Sequence, residues 1–132
     1  MNRFQYWLHA RTRYSLHSPF LFDLYDRVLL ARLEGKREPV PRRDRRYRDM
    51  VYKMSDFFSM QVTETTDDRT VLVGEGVVKK AVVVRRPHRS SVVEKQWYAM
   101  SDTSDCNIVI DLFDVGLLIQ NPHLRPQQFL LR

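Results

Sequence analysis

Four carboxylates crowd the last third of the chain, Asp102, Asp105, Asp111 and Asp114, and beside them Cys106, His88 and His123 are the side chains whose chemistry invites attention. A cation-binding loop needs oxygen ligands at close, regular spacing around a tight glycine turn, and neither an EF-hand nor a two-metal pattern is present. Capping and turn roles account for the aspartates. Cys106 would be a nucleophile only beside a positioned base, and the sequence pairs it with neither His88 nor His123, so it reads as an inert, partly buried thiol. His88 stands among Arg85, Arg86 and Arg89, which disfavour its charged form, and reads as a solvated loop residue. Ser18, next to His17, is accounted for as a helix cap. The expectation is a chain with no catalytic residues, no metal and no cofactor.

The second kind of chemistry the residues offer is anion binding. Net charge is 22 − 16 = +6, and much of the excess is local: between Arg32 and Asp49 eight basic residues face four acidic ones, +4 in eighteen positions. Arg42, Arg43, Arg45 and Arg46, with Tyr47 close by, and the pair Arg85 and Arg86 with Arg89, are candidate phosphate or partner contacts. The plainer account is a solvated basic linker that pairs with Glu34, Glu38, Asp44 and Asp49. No helix-turn-helix, RRM or OB signature accompanies the arginines, so nucleic-acid binding is the alternative and not the leading reading.

The elements that must position these residues follow from the periodicity. With 132 residues the chain fits one domain and can bury roughly two-thirds of its unfolded surface. Ser18 and Pro19 open a helix, and Leu21, Leu24, Tyr25, Val28 and Leu29 form its stripe up to Gly35. Pro39 and Pro41 interrupt any continuation, so residues 36–49 read as a basic connection between an N-terminal helical segment, 1–35, and the body, 50–132. Met50, Val51, Met54, Phe57 and Phe58 share one face of a helix ending near Met60. Strands are expected at Thr70–Val73, within Val77–Val84, at Asn107–Phe113, at Leu117–Ile119 and at Gln128–Leu131, with Gly74-Glu75-Gly76 as a hairpin turn and Asp114-Val115-Gly116 as another. Ser91 and Glu94 have the spacing of a capping box ahead of a helix carrying Trp97, Tyr98 and Met100.

Two separated pieces resemble a known family. Arg13-Tyr-Ser-Leu-His-Ser-Pro-Phe-Leu-Phe-Asp23 is similar to the N-terminal entry helix of Bacteroidetes-type class I S-adenosylmethionine-dependent methyltransferases. Ile110-Asp-Leu-Phe-Asp-Val-Gly-Leu-Leu118, with Gln128-Phe-Leu-Leu-Arg132 and Trp97 ahead of it, looks like their closing strands. The resemblance implies a reduced methyltransferase-like, Rossmann-type mixed sheet with N-terminal helices. Between the two pieces it breaks down. The family's glycine loop and acidic ribose ligand have no counterpart beyond Gly74-Glu75-Gly76, and its Asp-Asp-Ile-His corner aligns with Arg85-Arg86-Pro87-His88, which reverses the local charge.

Together these readings give a non-catalytic, methyltransferase-like remnant that serves as a protein-interaction or structural module. A nucleic-acid-binding protein and a methyltransferase completed by a second subunit are the alternatives. Loss of central strands would leave a sheet edge open, and Phe129, Leu130 and Leu131 are the expected edge of a homodimer. One cysteine, no secretory signal and no apolar run long enough to cross a bilayer place the chain in the cytoplasm as a soluble protein.

Overall fold

The computed structural model describes residues 44–103, 105–124 and 126–130. The predicted helix over residues 18–35, most of the connection and the end of the last strand lie outside them. Within the described residues a six-stranded sheet carries one helix on each face.

The first helix, α1, spans Arg45–Phe57. It starts ahead of the Met50 stripe, so the last residues of the predicted connection, including Arg45 and Arg46, are helical. The sequence allows this because both prolines lie upstream and straight-chain arginines lose little side-chain freedom in a helix. Met50 and Met54 are buried against the sheet, with Tyr47, Val51 and Phe58 packed beside them, while Phe57 turns to solvent.

The strands follow as β1 (Gln61–Thr65), β2 (Arg69–Val73) and β3 (Lys80–Arg85), then helix α2 (Ser91–Thr103), then β4 (Ile108–Asp111), β5 (Val115–Gln120) and β6 (Gln127–Leu130). Period-two alternation sorts their side chains. Leu72, Ala81, Val83, Ile108, Ile110, Leu117 and Ile119 face α1. Val82, Val84, Val109 and Leu118 face Trp97 of α2.

The strand order β1-β2-β3-β5-β4-β6 overturns the expected Rossmann-type mixed sheet. Every neighbouring pair from β1 to β4 in that order is antiparallel, and only β6 runs parallel to its neighbour, β4. The connections are the physical cause. Residues 66–68, 74–79 and 112–114 are hairpin loops, too short for the crossover of a dozen or more residues that a parallel pair requires. The one helical crossover, through α2, leads from β3 to β4, and β5 then inserts between them. Gly74-Glu75-Gly76 does lie in the β2–β3 hairpin loop, where the Gly74 amide donates to the Lys79 carbonyl at 3.0 Å. Gly116 does not turn the chain. It sits in β5, opposite Asp111 and Val84.

Candidate functional site

At the end of the sheet where β3 and β4 finish, three segments deliver one cluster. His88 comes from the β3–α2 loop, Glu94 from the first turn of α2 and Asp111 from the last position of β4. His88 Nδ1 lies 2.5 Å from Glu94 Oε2, and His88 Nε2 lies 2.5 Å from Asp111 Oδ2. The imidazole has no exposed surface, while the side chains of Asp111 and Glu94 are 4% and 19% exposed.

Local structure explains how each group arrives. Arg86 adopts a left-handed conformation, φ 38°, which swings the chain off β3. Ser90, not Ser91, caps α2: its Oγ accepts from the Val93 amide at 3.2 Å and its carbonyl from the Glu94 amide at 2.9 Å. The predicted capping-box partnership of Ser91 with Glu94 is therefore replaced, and the glutamate turns to His88 instead. Asp111 lies on the α2 face of the sheet, and its Oδ1 accepts from the Phe113 amide at 2.9 Å. That bond shapes the β4–β5 turn, in which Phe113 takes φ 69°. A bulky residue at positive φ is strained. The turn sets the Phe113 ring in a stack on the imidazole, with centroids 5.3 Å apart, and Tyr98 approaches it edge-on at 6.2 Å.

The surroundings of the ring favour its charged form. Each ring nitrogen lies within hydrogen-bond distance of a carboxylate oxygen, an arrangement that stabilises the imidazolium, which donates through both nitrogens. Burial alone would lower the His88 pKa, but the hydrogen bonds and charges of Asp111 and then Glu94 outweigh it and raise the pKa above its ordinary 6.5. Burial, followed by the charges of Glu94 and Asp111, also pushes the Tyr98 hydroxyl up. In its charged form the ring donates through both nitrogens and offers no lone pair to a substrate proton, a nucleophile or a metal ion. The arrangement ties the β3–α2 loop, α2 and β4 together through charge-assisted hydrogen bonds.

The reading of His88 as a solvated loop residue with a disfavoured charge is thus reversed, while Asp111 takes the turn role expected of it through the Phe113 amide and adds the contact to His88. The arginines counted against His88 point to other acceptors. Arg85 Nε donates to Asp44 Oδ1 at 2.8 Å and its terminal nitrogen to the Asp67 carbonyl at 3.2 Å. Arg86 Nε lies 3.7 Å from the same Asp44 oxygen, and Arg89 bonds to Asp68 and to the Arg85 carbonyl. The signal available in the sequence was the single carboxylate inside the apolar run from Ile108 to Leu112, which needs a partner if that strand is central.

The remaining candidates are dispersed. Arg46 donates to the Leu112 carbonyl at 3.1 Å, Arg45 is exposed, and Arg42 and Arg43 lie outside the described residues. Asp105 pairs with Lys80 at 3.2 Å, Asp102 and His123 are exposed, and Asp114 accepts the Arg86 amide through its carbonyl. Cys106 is buried. Phe129 and Leu130 are in β6, as expected, and Leu131 lies outside the described residues. A cleft of about 440 Å³ opens between α2 and β6 beside Asp111, with Tyr98, Asp102, Gln128 and Leu130 on its walls. Among the described residues no group of three His, Cys, Asp or Glu side chains is arranged to hold a metal ion, and no helix is long and apolar enough to cross a membrane.

No family model matches the chain, and no curated protein or solved structure matches it either.

Proposed function

We propose that the chain is a non-catalytic interaction module that associates with a second copy of itself through β6. The observation that carries this reading is the unlikeness of the two sheet edges. At one edge, β1 is exposed along its whole length, carries Glu64 and breaks register between Val62 and Glu64. A bulge and a charge are the devices that keep an edge strand from pairing. At the other edge, β6 continues the ladder of β4 in unbroken register from Gln127 to Leu130 and contains Phe129 and Leu130 without a charge. A regular, uncharged edge pairs readily with its own copy across a two-fold axis. The closed His88 cluster supports the non-catalytic half of the reading, since its imidazole is consumed by structure.

Sedimentation equilibrium of the full chain tests it. A monomer–dimer equilibrium that Phe129→Lys shifts toward monomer supports the proposal. A monomer at high concentration, or a dimer indifferent to the substitution, overturns it.

A further inference from the structure

On the α2 face of the sheet the helix packs over β3, β5 and β4, and Val71 of β2 borders that packing. Trp97 lies over Gly116 and packs with Val82, Val84, Val109 and Leu118, and a cleft of about 590 Å³ opens between α2 and the start of β2, where Arg69 lines it. That volume lies within the range of small-molecule sites, roughly 300–1,000 Å³. Val84, Val93, Trp97 and Met100 give one wall of the cleft its apolar lining, Thr66, Asp68 and Gln96 are polar, and Arg69 and Arg89 stand in it as cations.

Arg69 is the informative residue. It belongs to β2 opposite Val84, where the alternation directs it to the α2 face, and it is half-buried. Its guanidinium meets the thioether of Met100, with a nitrogen 3.9 Å from Sδ. A thioether is a weak acceptor, and a guanidinium carries five donors in a planar fork that matches a carboxylate. Arg89 differs, because its nitrogens already serve the Arg85 carbonyl and Asp68. With the Arg89–Asp68 pair neutral as a unit, the cleft holds one net positive charge against an apolar wall.

We propose that this cleft binds a small monocarboxylate with an apolar body of aromatic size, the carboxylate taken by the fork of Arg69 and the body lying against Val93, Ala99 and Met100, above the buried Trp97 and Val84. The charge count selects a monoanion over a dianion. The apolar lining selects a hydrocarbon or aromatic body over a sugar. The inference is independent of self-association through β6, which lies beyond β5 and β4 on the far side of the sheet.

The test uses the full chain labelled with ¹⁵N and titrated with phenylacetate, with phenylacetamide as the uncharged control of the same shape. The acid is expected to give saturable shifts at the Trp97 indole N–H and at the Arg69 side chain. The amide is expected to bind about tenfold or more weakly, as is the acid to Arg69→Met, because each removes one charge-assisted pair. Absence of saturable shifts, equal affinity for acid and amide, or an Arg69→Met chain that binds as well as the original overturns the proposal. The amide comparison is made on the unmodified chain, so the test stands even where Arg69→Met does not fold.

Discussion

The indole of Trp97 occupies the space a side chain at residue 116 would need: a Cβ on Gly116 would stand 2.6 Å from both Cη2 and Cζ3 of the ring. Trp97 is 2% exposed and forms the centre of the packing between α2 and the sheet. Gly116 lies within a central strand, where the ring is held by Val82, Val84, Val109 and Leu118 and has little room to retreat. Gly116→Ala is therefore expected to lower stability by about 1–3 kcal/mol through overpacking. Urea unfolding should show a lower midpoint with an unchanged slope, together with a changed near-ultraviolet signal from the displaced indole. A substitution neutral in both would mean the indole is not seated on residue 116.

His88 gives the fold a pH dependence whose sign follows from its environment. The groups facing it are Glu94 and Tyr98 of α2 and Asp111 of β4. Its folded pKa is raised above 6.5, with burial opposing and the two carboxylates prevailing. The protonated ring therefore stabilises the fold fully below pH 6.5, and that contribution is lost as pH rises through the folded pKa. Denaturant midpoints measured at stepped pH are expected to fall on the alkaline side of 6.5, and His88→Gln should flatten that fall. Identical pH profiles for the two chains would contradict the imidazolium assignment.

Removing one carboxylate should cost more than removing a surface pair. Asp111 is 4% exposed at its side chain, so Asp111→Ala would leave the buried imidazole with one of its two partners and deprive the Phe113 amide of its acceptor. Breaking a buried pair from one side costs about 3–5 kcal/mol. By contrast Asp105→Ala, which releases an exposed pair with Lys80, should cost about 1 kcal/mol or less. Equal midpoint losses for the two variants would remove the distinction.

Much of the local structure is legible in the sequence, because apolar runs bounded by turn residues mark β2, β3, β4 and β5, and a stripe around Met50 and Met54 marks α1. The order of the strands is not carried by those runs. Resemblance at the two ends of the chain suggests a parallel core, yet the short connections at residues 66–68 and 112–114 already demand hairpins. The site is hidden for a different reason. His88 and Asp111 are 23 positions apart, and they meet only because β3 and β4 finish at the same end of the sheet with β5 between them. Charge counted along the sequence put His88 among repelling arginines. In space those arginines turn to Asp44, Asp67 and Asp68, and two carboxylates take their place around the ring.

The two sheet edges should also differ in how their amides exchange with solvent. Residues Gln61–Thr65 of β1 are exposed throughout, and the bulge between Val62 and Glu64 interrupts the regular ladder that another strand would have to match. Their exchange is set by local opening of the β1–β2 hairpin and should not depend on protein concentration. If β6 pairs with its copy, the outward-facing amides among Gln127–Leu130 acquire partners only in the dimer, so their exchange should slow as concentration rises. Association protects by mass action, and about a hundredfold excess over the dissociation constant corresponds to roughly 2.7 kcal/mol of added protection. Hydrogen exchange of the full chain at two concentrations, one on each side of the transition seen by sedimentation, reads both edges at once. Slowing confined to β6 places the interface there. Slowing confined to β1 would move it to the opposite edge and show that the bulge does not block pairing.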